Sequence, residues 1–217
     1  MKLSTVVELK RLKSPAVTPQ ALAWDQGQLW LSSRDLGVLY KINVEKWETV
    51  REIDPPGIVW AAVAANGTTY LTIGKGLNDD RFVYRYTPDE GFSKLFACPE
   101  FTGSYLSTRS DQLYLSQWYK HRILEMDENG NIKRSINVGA EISGHTFVAG
   151  LIYVLRGKEE PNEEWRIARL DPDKDEPQVE DIAIIPFACR SLTFDGENFW
   201  TNHRAAGEII SFALAKS

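Results

Sequence analysis

At 217 residues the chain is long enough to form one domain with a substantial hydrophobic core, and 43% hydrophobic with 25% charged residues is ordinary for a globular protein. The formal net charge of −5 argues against indiscriminate binding to nucleic acid or to an anionic membrane. The first residues lack the apolar core of a signal peptide, and no apolar run approaches the roughly 20 residues that span a membrane.

The two cysteines, Cys98 and Cys189, fall at non-equivalent positions of the repeat described below. We interpret both as free thiols in a reducing compartment, because they do not form the paired pattern of a disulfide framework. The first residues are also not expected to act as a signal peptide, and together these interpretations lead us to expect a cytoplasmic location.

A repeated unit dominates the sequence. Each copy contains a short apolar run, a tight turn, a bulky aromatic residue and a second apolar run that leads into a polar hairpin. The aromatic residues are Trp30, Tyr70, Tyr114, Tyr153 and Trp200, at spacings of 39 to 47 residues, and the apolar residues that close each third strand are Ile42, Tyr86, Met126, Leu170 and Phe212. This period, with four short strands in each unit, predicts an all-β, five-bladed β-propeller with four-stranded antiparallel blades.

In chain order, the predicted blades cover approximately residues 13–54, 55–98, 99–138, 139–185 and 186–217 of a single domain, residues 1–217. Only five residues follow Phe212, which is too few for a fourth strand in the last blade. Thr5-Val6-Val7-Glu8-Leu9 resembles the fourth strand of the first blade, Thr49-Val50-Arg51-Glu52-Ile53. We therefore expect the N-terminal strand, residues 3–10, to pair with the last blade and close the ring, which removes two exposed sheet edges. An open stack of hairpins or a sandwich is the alternative.

The propeller topology places the loops on two faces. Short turns such as Asp25-Gln26-Gly27 and Asp195-Gly196 are typical structural hairpins and lie on one face. The other face carries the loops that lead into each innermost strand and the loops that join the second and third strands, and sites in propellers usually lie there. Residues 74–81 of blade two and 157–165 of blade four lengthen the loops of this face, either as tolerated surface insertions or as flaps beside a pocket.

Cationic and aromatic residues concentrate on that face of an otherwise acidic chain, which indicates a site for an anion. Arginine offers a planar fork that matches carboxylate or phosphate, and Trp and Tyr offer flat apolar walls. The candidate ligand-binding residues are Gln20, Arg34, Trp60, Tyr105, Trp118, Arg156, Arg190 and Arg204. The alternative for the arginines is an internal salt bridge, and the alternative for the Trp118 region is packing at the end of its blade.

His145 and His203 are the candidate catalytic residues. His145 falls in a register that other blades fill with leucine, where a polar residue needs a partner or a function. His203 closely follows the aromatic Trp200, and histidine titrates near neutral pH, as a general acid or base requires. The alternative for His203 is a hydrogen-bonded loop histidine.

Sequence motifs for metal and nucleotide sites are not found. No His-x-His or His-Glu-x-x-His spacing occurs and no cysteine pair has zinc spacing, so no metal ligand is assigned. Ligands from separate blades would still allow a divalent cation in the channel, and the cofactor is left open. Gly74-Lys75-Gly76 lacks P-loop spacing, and there is no Gly-x-Ser-x-Gly elbow.

Residues 18–32, with Thr18-Pro19-Gln20-Ala21-Leu22 at their start and Leu29-Trp30-Leu31-Ser32 at their end, resemble the first blade of plant- and bacterial-type glutaminyl cyclases. The repeat pattern of the whole chain is also similar to that of the virginiamycin B lyase-like and gluconolactonase-like propellers. The resemblance implies the propeller fold, and only Gln20 is carried over from the glutaminyl cyclase motif.

These observations favour binding of a small anionic molecule, which can carry an aromatic group, in one pocket at the channel mouth. An enzyme of the lyase, cyclase or hydrolase type that uses His145 or His203 as acid or base is one alternative. A scaffold that docks a peptide or a protein on the same face is another. No nucleic-acid or membrane partner is expected.

Overall fold

The repeat folds as five four-stranded sheets arranged in a ring, and within each blade the strands are antiparallel, so the predicted five-bladed β-propeller is confirmed. The computed structural model describes residues 3–76 and 80–215. Leu77, Asn78 and Asp79 of the predicted blade-two insertion lie outside the described residues, as do the two residues at each end of the predicted domain.

The strands follow one another around the ring in chain order. The N-terminal segment forms β1 (Ser4–Thr5) and β2 (Val7–Lys13). Blade one contains β3 (Pro19–Asp25), β4 (Gln28–Ser33), β5 (Leu39–Asn43) and β6 (Glu48–Ile53). Blade two contains β7 (Ile58–Ala65), β8 (Thr68–Gly74), β9 (Phe82–Thr87) and β10 (Gly91–Ala97). Blade three contains β11 (Tyr105–Arg109), β12 (Gln112–Gln117), β13 (Arg122–Met126) and β14 (Ile132–Asn137). Blade four contains β15 (Glu141–Val148), β16 (Leu151–Lys158), β17 (Glu164–Leu170) and β18 (Glu180–Ile185). Blade five contains β19 (Arg190–Phe194), β20 (Phe199–His203) and β21 (Glu208–Ala213). Two short 3-10 helices, Pro99–Phe101 and Trp118–Lys120, lie in loops of blade three.

Burial decreases from the innermost to the outermost strand of a blade. The innermost strand β3 is buried over its first five residues, because it has neighbours on both sides. The outermost strand β6 reads Glu-Thr-Val-Arg-Glu-Ile and is exposed over its first five residues. Charged side chains at this outer edge discourage pairing with another chain.

The aromatic residue of each repeat lies on the second strand of its blade. In blades one and five this residue is a tryptophan that its own hairpin holds in place. Trp30 Nε1 donates a hydrogen bond to Asp25 at 3.2 Å, and Trp200 Nε1 donates one to Asp195 at 2.7 Å. The tight turn that follows Asp25 places Gly27 at a φ of 84°, a left-handed conformation that glycine adopts without strain. The hairpin turns therefore position the aromatic core as well as reversing the chain.

The hydrophobic core is divided among the interfaces between neighbouring blades. Each of the five interfaces has its own cluster of buried apolar side chains. Between blades five and one, Trp200 stacks with Trp24 and Trp47, at ring-centroid distances of 6.3 and 6.4 Å. Each blade therefore depends on its two neighbours for most of its apolar burial.

The N-terminal segment closes the ring, as the sequence predicts, although the strand that pairs with blade five spans Val7–Lys13 rather than residues 3–10. Strand β2 pairs antiparallel with β21, in a register that places Val7 opposite Ala213 and Lys13 opposite Glu208. Just before it, β1 pairs in parallel with β18 of blade four, a contact that the sequence did not reveal. Val6 lies between the two pairings, is 7% exposed and packs into the core between blades four and five. The segment therefore fastens blade four to blade five.

Buried polar side chains join the innermost strands to one another. These strands are neighbours around the channel but share no backbone ladder, so part of their backbone needs side-chain partners. Ser191 Oγ accepts a hydrogen bond from the Leu22 amide at 3.0 Å and donates one to the Leu22 carbonyl at 3.2 Å. Gln20 Nε2 donates to the Trp60 carbonyl at 3.0 Å, and Asn202 Nδ2 donates to the Gln20 carbonyl at 3.0 Å. This polar layer spans the interfaces at which blade one meets blades two and five.

His145 belongs to the same polar layer. It is 1% exposed on β15, with Nδ1 2.8 Å from the Ser107 hydroxyl and Nε2 3.2 Å from the Tyr105 carbonyl. Since a carbonyl only accepts, Nε2 carries the proton and Nδ1 accepts from the hydroxyl. Burial lowers the pKa of His145 to about 4, so the imidazole is neutral at physiological pH.

Cys98 and Cys189 are both buried and free, as the sequence predicts. Burial raises the pKa of both thiols, that of Cys98 to about 12, so neither is ionised at neutral pH.

Among the described residues, no helix is long and apolar enough to cross a membrane.

The N-terminal closure makes Val6 more important for stability than its neighbour. We predict that Val6→Ala lowers the free energy of unfolding by about 1.5–3 kcal/mol, because it removes buried methyl groups and leaves a cavity between blades four and five. Val7→Ala is the matched control, since Val7 is 47% exposed, and it is expected to change the free energy by less than about 0.5 kcal/mol. Urea denaturation measures both values, and equal effects would show that the closure does not depend on Val6.

The buried neutral imidazole of His145 makes stability depend on pH. The unfolded chain takes up a proton at this residue below a pKa of about 6.5, whereas the folded protein resists protonation down to about 4. The stabilisation that the neutral His145 gives the folded state is therefore fully present above pH 6.5. As the pH falls from 6.5 toward 4, the free energy of unfolding decreases by about 1.4 kcal/mol per pH unit because of this residue.

Comparison of the wild type with a variant separates the effect of His145 on stability from the effect of the carboxylates, which also change charge at low pH. His145→Gln is expected to be less stable than the wild type at pH 7.5, and the difference should shrink between pH 6.5 and pH 4.5. His121→Gln is the matched control for loss of an imidazole, because His121 is half-buried in a turn of blade three, outside the polar layer. A constant difference between wild type and His145→Gln across this range would contradict the assignment.

Candidate functional site

A cavity of about 580 Å³ opens on the face that the sequence analysis indicates, among the loops at the channel mouth. This volume lies within the range typical of small-molecule sites. All five blades contribute to its lining, with Gln20 and Arg34 from blade one, Trp60 and Arg81 from blade two, Tyr105 and Trp118 from blade three, Glu159 from blade four, and Arg190 and Arg204 from blade five.

Arg204, in the loop after β20, contributes a guanidinium that no described carboxylate neutralises. Its Nη2 donates to Gln20 Oε1, and this is its one hydrogen bond to the described part of the chain. Its Nε is buried and has no partner there. Burial lowers the pKa of Arg204, Tyr105 and Glu159 oppose this effect, and the positive charges of Arg190 and Arg34 add to it. Holding a cation in this position is costly unless a ligand compensates it.

Blade two contributes an aromatic ring with a cation stacked on it. The Cζ of Arg81 lies 4.1 Å from the centroid of the Trp60 ring, and Arg81 Nη1 donates to the Gly103 carbonyl at 2.7 Å. Trp60 is buried, and its Nε1 has no partner among residues 3–76 and 80–215. The pair gives this wall both a flat apolar surface and positive charge.

Tyr105 lies at the start of β11 and is 3% exposed on the cavity lining. Burial raises the pKa of its phenol, and the positive charges of Arg204, Arg190 and Arg81 oppose that shift. The hydroxyl is therefore neutral at physiological pH and is able to donate or accept a hydrogen bond among the three guanidinium groups.

Trp118 of blade three lies at the centre of an aromatic wall, between Tyr105 of the same blade and Trp165 of blade four. The Trp118 ring lies 6.3 Å from the Tyr105 ring and 5.5 Å from the Trp165 ring, measured between centroids. Trp118 Nε1 is buried and has no partner in the described part of the chain. Tyr119 is 80% exposed at the rim, and Lys120 pairs with a glutamate outside the cavity.

Arg190 differs from Arg204, because two carboxylates neutralise it. Arg190 Nη1 donates to Glu163 Oε1 at 2.7 Å, and Nη2 donates to Glu159 Oε1. Burial would lower the pKa of Arg190, but Tyr105 and the two glutamates raise it above its usual value. Arg190 therefore keeps its charge, and its charge is already balanced within the protein.

Two tryptophan rings complete the surroundings of Arg190. Its Cζ lies 5.1 Å from the Trp118 ring and 5.3 Å from the Trp165 ring. Glu159 and Glu163 both come from the extended loop of blade four, residues 157–165, and Glu159 lines the cavity. The extension is therefore part of the cavity wall, the second of the two interpretations offered for it.

All of the predicted ligand-binding residues except Arg156 line this cavity. Arg156 lies on β16 outside it, where Nε donates to Asp181 at 2.7 Å and Nη1 donates to the Val138 carbonyl at 2.7 Å. The internal salt bridge that the sequence left open for the arginines is realised at this position and at Arg190.

Neither predicted catalytic histidine lines the cavity. Both ring nitrogens of His145 bond to blade three, so it is held behind the lining. His203 is half-buried, and its Nδ1 accepts a hydrogen bond from the Ala206 amide at 3.2 Å within the turn after β20. This is the hydrogen-bonded loop arrangement that the sequence offered as the alternative.

Seven described residues of the lining are not among the candidate ligand-binding residues predicted from the sequence: Arg81, Thr102, Ser104, Gln117, Tyr119, Lys120 and Glu159. Arg81 could have been predicted from the sequence, because it is the last residue of the extended loop of blade two, on the face that carries the cavity. Gln117 had none, since it is 1% exposed and its role is to hold a distant loop, with Nε2 donating to the Pro99 carbonyl at 2.9 Å.

The lining is better suited to an anion than to a cation. Of the described lining residues, five carry a cationic side chain and Glu159 carries a carboxylate, which Arg190 already occupies. Within residues 3–76 and 80–215, no group of three or more His, Cys, Asp or Glu side chains is placed to hold a metal ion.

Comparison with known proteins supports the fold. No family model matches the chain, and no curated protein matches it. Among solved structures, the glutaminyl cyclase of Myxococcus xanthus superposes with a TM-score of 0.73 at 11% identity, covering 98% of each chain. The calcium-binding protein regucalcin from Agrobacterium tumefaciens gives 0.60 at 10% identity, covering 98% of this chain and 94% of the other. A nidogen/laminin complex gives 0.63 at 16% identity, covering 92% and 77%. At these identities the likeness extends to the propeller fold and not to an activity.

Proposed function

We propose that the cavity at the channel mouth binds a small molecule through an anionic group, which can be attached to an aromatic ring. The observation that carries this proposal is Arg204, a half-buried arginine whose Nε is buried without a partner and whose guanidinium has one hydrogen bond and no ion pair in the described part of the chain. Such a group adds little to stability, so a ligand is the simplest reason for a cation at this position.

The distribution of charge supports the proposal. The chain carries a formal net charge of −5, yet five of the described residues that line this cavity are cationic. A concave site with an excess of one sign of charge raises the local concentration of oppositely charged ligands. The lining has such an excess of cationic side chains, although the net charge of the protein is negative.

The unused hydrogen-bonding groups support it as well. Trp60 Nε1, Trp118 Nε1 and Arg204 Nε are buried, belong to lining residues and have no partner among the described residues. All three are donors that cannot accept. The carboxylate or phosphate oxygens of a ligand would supply acceptors for these groups, because such oxygens only accept.

The alternatives fit the geometry less well. An acid–base mechanism through His145 or His203 would need a histidine on the cavity lining, and neither is there. Docking of a protein or peptide would be served by a broad apolar surface, whereas this site is concave and rich in charge.

We place the protein in the cytoplasm as part of the proposal, because both cysteines are free.

Replacing Arg204 tests the proposal. The wild type is expected to bind the probe 3-phenylpropionate, measured by isothermal titration calorimetry, and Arg204→Gln should weaken binding by about tenfold or more because the charge-assisted hydrogen bonds are lost. In the absence of probe, the same variant should be at least as stable as the wild type, since an uncompensated charge has been removed.

Arg169→Gln is the matched control. Arg169 is an exposed arginine of blade four that pairs with Glu180 and lies outside the cavity. Its substitution should leave probe affinity unchanged. A destabilised Arg204→Gln variant that binds the probe normally would show instead that Arg204 has a structural role and no ligand role.

A further inference from the structure

We propose that the ligand of this cavity is a zwitterion, with a carboxylate held at Arg204 and a protonated amine held at Glu159. This inference rests on the proposed function and names the chemical class that the site selects. It follows from the opposite charges of two walls of the cavity.

The wall formed by blade four is acidic. Glu159 and Glu163 share one guanidinium, that of Arg190, so the cluster carries a net negative charge. A third carboxylate is adjacent, since Glu141 Oε2 accepts a hydrogen bond from the Glu159 amide at 2.8 Å. Of these carboxylates, Glu159 is the one that lines the cavity, and its side chain is 43% exposed. An incoming ammonium group would find an accessible carboxylate oxygen there.

The wall formed by blades five and one is basic. Arg204 and Arg34 both line it, and the partner of Arg34 is the exposed Asp35 at 3.4 Å. Arg204 and Glu159 line the same cavity but form no ion pair with each other. The two side chains are nevertheless close enough for the negative charge of Glu159 to raise the pKa of Arg204. The cavity therefore carries two opposite charges on separate walls that do not neutralise each other by direct contact.

Aromatic groups lie beside the acidic wall. Tyr105 and Trp118 line the cavity, and the Trp118 ring already has the Arg190 guanidinium over one face at 5.1 Å. Aromatic faces attract ammonium groups as well as guanidinium groups. A primary amine bound at Glu159 would therefore have aromatic rings beside it in addition to the carboxylate. A dianion would be repelled at this wall.

Three probes of matched shape test the inference by isothermal titration calorimetry. Phenylalanine carries both charges, 3-phenylpropionate lacks the amine, and phenethylamine lacks the carboxylate. The wild type should bind phenylalanine about tenfold more tightly than 3-phenylpropionate, and phenethylamine most weakly. In Glu159→Gln, the preference for phenylalanine over 3-phenylpropionate should fall to near one.

Glu163→Gln is the matched control, because Glu163 pairs with the same arginine but does not line the cavity. It should keep the preference for phenylalanine, and Glu159→Asp should keep part of it. If Glu163→Gln loses the preference as fully as Glu159→Gln, release of Arg190 is responsible and the direct role of Glu159 is excluded.

The two proposals fail in different ways. If 3-phenylpropionate binds the wild type as tightly as phenylalanine, and Arg204→Gln still abolishes binding, the anion site stands and the zwitterion is excluded. If none of the three probes binds the wild type, both proposals are overturned. Melting temperatures of the variants confirm that each is folded at the temperature of the titration.

Discussion

The innermost strands of neighbouring blades lie side by side without a backbone ladder, and the structure around the channel depends on how their backbone groups are satisfied. A buried amide or carbonyl without a partner costs on the order of 1–3 kcal/mol, so each blade interface needs polar side chains of defined length. Ser191, Gln20 and Asn202 meet this need where blade one joins its neighbours, and His145 meets it between blades three and four. These polar residues therefore stabilise the interfaces between blades, independently of any contact with a ligand.

The candidate site is built directly on this layer. Gln20 shows the connection most clearly, because its Nε2 bonds to the Trp60 carbonyl of the next blade while its Oε1 accepts from Arg204. The side chain that joins two blades also orients the guanidinium proposed to meet the ligand. Since Gln20 is 3% exposed and fixed at both ends, the position of Arg204 is determined before any ligand arrives. A preorganised site of this kind loses little entropy when it binds.

The period of the repeat was sufficient to predict the five blades, the four strands of each blade and the closure of the ring, because each of these follows from spacing along the chain. Placement of the aromatic residues and of the arginines other than Arg156 at the channel mouth also followed from topology. The sequence did not reveal which groups each arginine pairs with. Arg156, Arg190 and Arg204 look equivalent as cations near one face, yet two of them are neutralised by carboxylates and one is not. The difference depends on the path of the blade-four extension and on strand β18, which no local pattern reveals. His145 shows the same limit, since its polar partners come from another blade.

Side-chain NMR is the measurement to make first, because it reports on Arg204 itself when an anion binds. The ¹H–¹⁵N signal of Arg204 Nε, assigned by its disappearance in Arg204→Gln, would be followed during titration with 3-phenylpropionate. We expect a progressive shift of this signal, while that of Arg169 Nε, which belongs to a distant ion pair on blade four, stays in place. Binding of the probe with no change at Arg204 would rule out Arg204 as the anion site and would place that site elsewhere on the molecule.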